Sequence, residues 1–386
     1  MRKLKPEEMA RLAWIIGDMY AQAETLLINL IIRRLIEGTP DLPLNIAQWK
    51  IEKLLQSAPL KREMVAELKE ILKEVPASVD RALYINVKSM IDEDDVIKYI
   101  ENKDHALKMS TETYIKEIQK LPPSVRYAYE KYKETALHEL NLVNTSMLTS
   151  AQQQYIDILN VSAGLMHSEQ ISPYVAIKTA TRQLVNDGLT GFYDKAGRRW
   201  EPQTAVEMIM RTNGNNVANQ TLFTRMDEVG ANLITISSHL GARPKCFKDQ
   251  GQIFNRAGGS GITVDGNGES VRYRDWNTSS YGLPDGILGI NCRHSAGFFI
   301  PGKSIFKPIE YDETANANRY KQEQKQRRYE RELRKTKRQR NAASALGDED
   351  EAKRLNQKAR LQSQRLRNHI DEHDLRRSKV RERPMY

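Results

Sequence analysis

The chain has very few cysteines and begins without a leader-like apolar segment. Only Cys246 and Cys292 occur in 386 residues, too few for the disulfide framework of a small secreted domain. Residues 1–8, MRKLKPEE, are strongly charged and lack the uncharged apolar core of a signal peptide. Nothing in these two features indicates secretion.

Long apolar runs are absent as well. The most apolar segment, residues 12–36, is interrupted by Asp18, Gln22, Glu24 and Asn29, whereas a membrane span needs roughly 20 predominantly apolar residues. We therefore expect no membrane association. Hydrophobic residues make up only 39% and charged residues 28% of the chain, and the mean hydropathy is −0.64. This balance indicates long solvated helices or surfaces reserved for partners.

Apolar residues recur at three- and four-residue steps over much of the chain, which predicts amphipathic helices. The sequence predicts a mainly α fold with a small α+β unit near residues 186–305, a long helical N-terminal half and a basic helical C-terminal tail. Pro122-Pro123 breaks the second helical stretch. The predicted regions are a helical one at 1–93, another at 94–185, the α+β unit at 186–310 and a helical hairpin tail at 311–386.

The α+β unit is indicated by turn residues and β-branched residues. Asp187-Gly188 and Ala196-Gly197 flank the segments Leu189–Tyr193 and Arg198–Trp200, a pattern that predicts a small hairpin. A helix is predicted to begin near Pro202 and to end at Gly230, since proline suits a first helical turn and glycine a C-terminal stop. A strand is predicted at 232–237, followed by turns and short strands.

The positive charge is concentrated in one segment. Residues 311–386 contain 22 Lys/Arg and 13 Asp/Glu, a net +9 out of +10 for the whole chain. Such asymmetry indicates contact with nucleic acid, although a solvated helical face explains it equally well. Sequence-blind, salt-dependent binding to double-stranded DNA phosphates is predicted for Arg327, Arg328, Arg331, Arg334, Lys335, Lys337, Arg338 and Arg340.

Apolar residues are sparse in this tail, so we expect its two helices to bury little against each other and to need a partner or DNA to become ordered. The expected seam, meaning the apolar contact between the two tail helices, consists of Leu333, Leu346, Leu355, Leu361 and Leu366.

Two closely spaced pairs of nitrogen and sulfur ligands lie in the α+β unit. His239 and Cys246 follow the predicted strand, and Cys292 and His294 lie two residues apart. Together they suit a tetrahedral zinc ion, and both cysteines of the chain fall within the set. The spacing matches no standard zinc finger. The alternative is a pair of buried cysteines beside two hydrogen-bonded histidines.

A literal Walker A string spans residues 297–304. The motif needs a strand, a phosphate-wrapping loop and then a helix. Phe298-Phe299-Ile300-Pro301 is stiff, and Pro308 stops any helix that begins at Ser304. Nucleotide binding is therefore not expected here.

Several strings are specific enough to indicate a family. They are Ser237–Cys246 (SSHLGARPKC), Asp249–Phe254 (DQGQIF), Gly289–His294 (GINCRH), Phe299–Gly302 (FIPG) and, in the tail, Arg328–Arg334 (RYERELR). In these strings the chain resembles the phage minor capsid protein 2 family, which is related to the MuF-like head morphogenesis proteins.

The resemblance implies a structural protein of a tailed-phage virion, present in several copies in the capsid interior near the portal vertex and made in the host cytoplasm. It implies the portal protein, the major capsid protein and packaged double-stranded DNA as partners, and a role in head assembly and in DNA packaging or delivery rather than in catalysis. In the family, histidine often stands at the position of Cys246, which would keep a metal ligand.

The alternative is a phage-borne enzyme carried in the head, either an ADP-ribosyltransferase or a metal-dependent hydrolase. Arg211, the Thr278-Ser279-Ser280 run and the Glu330 and Glu332 carboxylates occur in an order that suits ADP-ribosyl transfer. The glutamates fall within the highly charged tail helix rather than at a predicted cleft, which makes this interpretation weaker.

Overall fold

A computed structural model describes residues 6–39, 45–90, 116–169 and 171–382. The mainly α fold predicted from the sequence is confirmed. Residues 1–5, 40–44, 91–115 and 170 of the two predicted helical regions, 1–93 and 94–185, lie outside the described residues. Within the described ranges, the first six long helices are α1 (Pro6–Ile36), α2 (Ile46–Leu55), α3 (Ser57–Ile71), α4 (Val75–Lys88), α5 (Pro123–Glu169) and α6 (Pro173–Asp187).

Proline and capping residues account for several helix boundaries. Asn45 accepts hydrogen bonds from the backbone N–H groups of Ala47 and Gln48 at the start of α2, as an N-cap side chain does. Helix α5 begins at Pro123, the break predicted from the sequence. The remaining elements are the hairpin strands β1 (Phe192–Tyr193) and β2 (Arg199–Trp200), then α7 (Pro202–Glu228), β3 (Leu233–Ile236), α8 (Pro244–Phe247), β4 (Ile253–Asn255), β5 (Gly261–Val264), β6 (Ser270–Asp275), β7 (Ala296–Phe298), α9 (Glu313–Ala345) and α10 (Glu349–Glu372).

Strands β3 to β7 form one mixed sheet in the order β5-β6-β4-β3-β7. Strands β4 and β6 pair in parallel, and the other neighbours are antiparallel. Burial alternates along β3, so Ile234 and Ile236 face the core. They pack with Leu222 and Met226 of α7 and with Phe254 of β4.

The described parts of the chain group into two compact units. The first comprises Met1–Ile16, Pro76–Glu139 and Glu207–Gln324, and it contains the sheet. The second comprises Gly17–Val75, Leu140–Val206 and Lys325–Tyr386, and it contains α10 with most of α9. Each unit is therefore assembled from three separate stretches of sequence.

The tail hairpin of α9 and α10 has a more extensive seam than the sequence suggested. Four of the expected leucines are buried, but Leu361 is 62% exposed and does not contribute. The seam also includes Tyr329, Ala359 and Ile370, which the leucine pattern did not indicate. At the turn, Gly347 has a φ of +68°, and Asp348 caps α10 by accepting from the Glu351 backbone N–H.

Residues Ala10–Ile36 are long and apolar enough to cross a membrane by length and composition alone. However, 67% of the most apolar stretch is buried inside the protein. Its buried polar residue Glu24 is only 2% exposed. The buried part of this stretch therefore belongs to the core of the fold.

Candidate functional site

The pairing of β3 with β7 brings the two predicted ligand pairs to one end of the sheet. The strands are antiparallel, with Ile236 opposite Ala296, so the segment that leaves β3 lies beside the segment that enters β7. The first segment carries His239 and leads into α8, which contains Cys246. The second carries Cys292 and His294 in the turn before β7.

Three of the four predicted ligands converge. Donor atoms of Cys246, Cys292 and His294 all lie within 4.8 Å of one another, and these residues are 1%, 2% and 2% exposed, respectively. The Nδ1 atom of His294 is 3.4 Å from the Sγ atom of Cys292. The arrangement is a buried cluster of two sulfur donors and one nitrogen donor.

Gln250 orients the ring of His294. Its Oε1 atom accepts the backbone N–H of His239 at 3.1 Å and lies 2.9 Å from Nε2 of His294. Since this oxygen is an acceptor, the ring proton of His294 belongs on Nε2, and the Nδ1 lone pair faces Cys292. A ring nitrogen held by an oxygen acceptor in this way is typical of metal-binding histidines. Sequence reasoning missed Gln250, because a glutamine in a polar loop has no spacing signature.

His239 lies against the cluster without joining the set of three. Its ring stacks on that of His294, with centroids 4.3 Å apart and planes 21° apart. Its Nδ1 atom is 3.3 Å from the Leu240 carbonyl oxygen, while its buried Nε2 atom has no hydrogen-bond partner among the described residues. Burial and the neighbouring His294 lower the pKa of His239 to about 4.

The two buried cysteines perturb each other's ionisation. Contact with the Cys246 side chain lowers the pKa of Cys292. The same contact and burial raise the pKa of Cys246, whose thiol donates to the Gly286 carbonyl oxygen at 3.5 Å. Thiolates are the form of cysteine that binds metals.

Both ligand segments also hold the first turns of α9. Asn316 accepts the backbone N–H groups of Gly241 and Ala242 at 2.8 and 2.9 Å and donates to the Ala242 carbonyl oxygen at 2.9 Å. Arg293, between the two ligands of the second segment, pairs with Glu323 at 2.9 Å. The sequence did not predict these contacts.

The eight predicted DNA-contacting cations differ in exposure. Arg328, Arg331 and Lys335 are exposed, and Arg328 pairs with Glu332 one turn along at 2.8 Å. Arg327, Lys337, Arg338 and Arg340 are half-buried, and Arg334 is 7% exposed.

Two of the predicted DNA-contacting arginines, Arg334 and Arg338, make contacts within the protein. The Arg338 guanidinium donates to Glu24 at 3.2 Å and to Glu201 at 2.8 Å, and Arg334 donates to the Arg381 carbonyl oxygen. Burial would raise the pKa of Glu201, but Arg338 lowers it to about 2. Burial outweighs Arg338 at Glu24, whose pKa is raised.

The Walker A string does not form a phosphate-binding loop. Its Gly297 and Phe298 belong to β7, and the residues from Pro301 to Ser304 form a turn with no helix after it until α9. The Oγ atom of Ser304 accepts the Ile300 backbone N–H at 2.9 Å.

Comparisons with known proteins place these features in context. The family described as phage minor capsid protein 2 matches residues 4–371. A structural protein of Lactococcus phage LL-H is 27% identical over 343 residues, which cover 85% of this chain and 86% of that protein. A structural protein of Lactococcus phage mv4 is 34% identical over 94 residues, which cover 24% of this chain and 76% of that protein. No solved structure matches the chain.

Proposed function

The chain belongs to the phage minor capsid protein 2 family, and from that premise we propose that it is a portal-associated head protein that acts in head assembly and in DNA packaging or delivery. It occupies the capsid interior near the portal vertex in several copies and is assembled in the host cytoplasm. The portal protein and the major capsid protein are its partners.

The exposed face of α9 supports the DNA part of this proposal. Arg328, Arg331 and Lys335 project from a segment that carries nearly all the excess positive charge of the chain. Each lysine or arginine that neutralises a phosphate releases counterions, so binding is independent of base sequence and weakens with salt. A surface of this kind suits packaged double-stranded DNA.

Exposed apolar side chains on the first helices support contact with other virion proteins. Ile51 and Leu55 of α2 are 59% and 70% exposed, and Val65 of α3 is 44% exposed. Contact with the portal protein would remove this apolar area from water, which favours association. We assign these residues to the portal-facing surface.

We propose a structural rather than an enzymatic role, in keeping with the structural proteins of the two Lactococcus phages. Cys246, Cys292 and His294 are almost completely buried, whereas a catalytic metal keeps a position open to water or substrate. Glu332, which the ADP-ribosyltransferase interpretation would use, pairs with Arg328 on the exposed side of α9.

DNA binding by the purified full-length chain tests the charged surface. Changing Arg328, Arg331 and Lys335 together to glutamine should weaken binding and reduce the slope of log affinity against log salt by about 0.9 for each phosphate that is no longer neutralised. The control changes Lys61, Arg62 and Lys69 to glutamine, which removes the same charge from exposed positions of α3. Equal reductions in both variants would refute a specific role for α9.

Partner choice is tested by gently disrupting purified particles and separating the subcomplexes. We expect this chain to remain with the portal protein. Changing Ile51 and Leu55 to aspartate should reduce its incorporation, while changing the exposed Lys61 and Lys69 to glutamine should not. Recovery of the chain only with tail proteins would contradict the proposal.

A further inference from the structure

We propose that His239, Cys246, Cys292 and His294 bind one structural Zn²⁺ ion that joins the segment after β3 to the segment before β7. The proposal rests on donor chemistry, spacing and burial in the first compact unit.

The donor spacing is close to that of a tetrahedral zinc site. Zinc bonds to sulfur at about 2.3 Å and to nitrogen at about 2.0 Å, which places the ligand atoms about 3.3–3.8 Å apart. The Cys292 Sγ and His294 Nδ1 atoms are 3.4 Å apart, and the set of three lies within 4.8 Å. The donors of Cys246, Cys292 and His294 therefore need to move closer by only about 1 Å.

His239 is the fourth ligand. Its Nδ1 proton is directed to the Leu240 carbonyl oxygen, which leaves a lone pair on Nε2, and that atom is buried without a hydrogen-bond partner among the described residues. A buried polar atom without a partner is destabilising, and a metal ion removes that penalty. Its stacking on His294 keeps it beside the other three ligands.

Two sulfur and two nitrogen donors select zinc over magnesium or calcium, which prefer oxygen ligands. A disulfide between the cysteines would also use both thiols, but it would leave the lone pairs of His294 Nδ1 and His239 Nε2 without a partner. The low exposure of three ligands fits a closed structural site.

The ion would also organise the start of the basic helix. Each ligand segment contacts a different residue of α9. The first segment hydrogen-bonds to Asn316, and the second pairs with Glu323 through Arg293. Zinc that fixes both segments therefore fixes residues 313–324. Removal of the metal should loosen this part of α9 along with the ligand loops.

Elemental analysis of the full-length chain, purified with a reductant and without a chelator, tests the site. We expect about one zinc per chain in the wild type. The variants Cys246→Ser, Cys292→Ser, His294→Gln and His239→Gln should each bind less than about one-tenth as much, and the control His138→Gln, which lies outside the cluster, should bind normally. A wild-type chain that binds no zinc even from added zinc chloride would overturn the proposal, as would a Cys246–Cys292 disulfide under these conditions.

Two wild-type measurements remain informative if a variant fails to fold. Cobalt(II) added to the metal-stripped chain should give a sulfur-to-metal charge-transfer band and tetrahedral visible bands, and an octahedral spectrum would overturn the ligand assignment. Chelation should increase hydrogen exchange at 239–246, 291–295 and 313–324 but leave α2 and α3 unchanged. Unchanged exchange in the first three segments would refute the structural role of the ion.

Discussion

Replacing Arg338 with methionine tests whether this residue of α9 stabilises the fold or binds DNA. The Arg338 side chain is 11% exposed and lies between Glu24, 3% exposed, and Glu201, 22% exposed. Glu24 also accepts the Leu189 backbone N–H at 2.8 Å, so its carboxylate stays buried when the arginine is removed. Glu201 retains Arg334, 4.0 Å away, and Glu24 is therefore the more destabilised of the two carboxylates.

Removing one partner of a buried ion pair costs about 3–5 kcal/mol. For a unit of about 190 residues, this corresponds to a melting temperature lowered by roughly 6–20 °C. Thermal unfolding followed by circular dichroism measures the shift. The control Arg328→Met breaks the exposed pair with Glu332, which is worth about 1 kcal/mol or less. Adding Glu24→Gln to Arg338→Met should restore most of the stability, because it replaces the buried carboxyl group that has lost its arginine partner.

Equal melting temperatures for Arg338→Met and Arg328→Met would refute this reasoning. So would a decrease in the DNA affinity of folded Arg338→Met that matches the decrease on changing Arg328, Arg331 and Lys335. Either result would mean that Arg338 faces solvent and phosphate rather than Glu24 and Glu201.

Two further predictions concern acid stability and backbone strain. Because the folded pKa of Glu201 is about 2 and the unfolded value is about 4.3, ionised Glu201 stabilises the fold above about pH 4.3, and this contribution is lost as the pH falls toward 2. Glu201→Gln should therefore lose stability less steeply than the wild type over that range in acid titrations of unfolding, and parallel curves would contradict the pairing. Gly241→Ala should lower the melting temperature more than Gly230→Ala, since both glycines have positive φ but a Cβ at 241 would lie 3.0 Å from the Glu323 carboxylate whereas the space at 230 is open. Equal decreases in melting temperature for the two variants would mean that Glu323 does not lie against Gly241.

Local signals in the sequence predicted the helices because their ends are marked by particular residues. Pro122-Pro123 precedes the start of α5, Pro202 begins α7, and Gly230 follows its end with a φ of +66°. These boundaries depend on the backbone preferences of proline and glycine. They can be read without knowing any tertiary contact.

Long-range pairing was not readable in the same way. Arg338 looks like its basic neighbours on α9, and its partners Glu24 and Glu201 lie 314 and 137 residues away. The strands of the main sheet are three to six residues long, too short for periodicity to specify their neighbours. The His/Cys cluster was predicted because both cysteines lie beside histidines, but its convergence depends on the pairing of β3 with β7.

Localised cryo-electron microscopy of the portal vertex in purified particles tests the central claim most directly. We predict density for this chain on the interior side of the portal, with its first helices against the portal protein and the α9–α10 hairpin facing packaged DNA. Density only on the capsid exterior, or mature particles that lack the chain altogether, would contradict a portal-associated role inside the head.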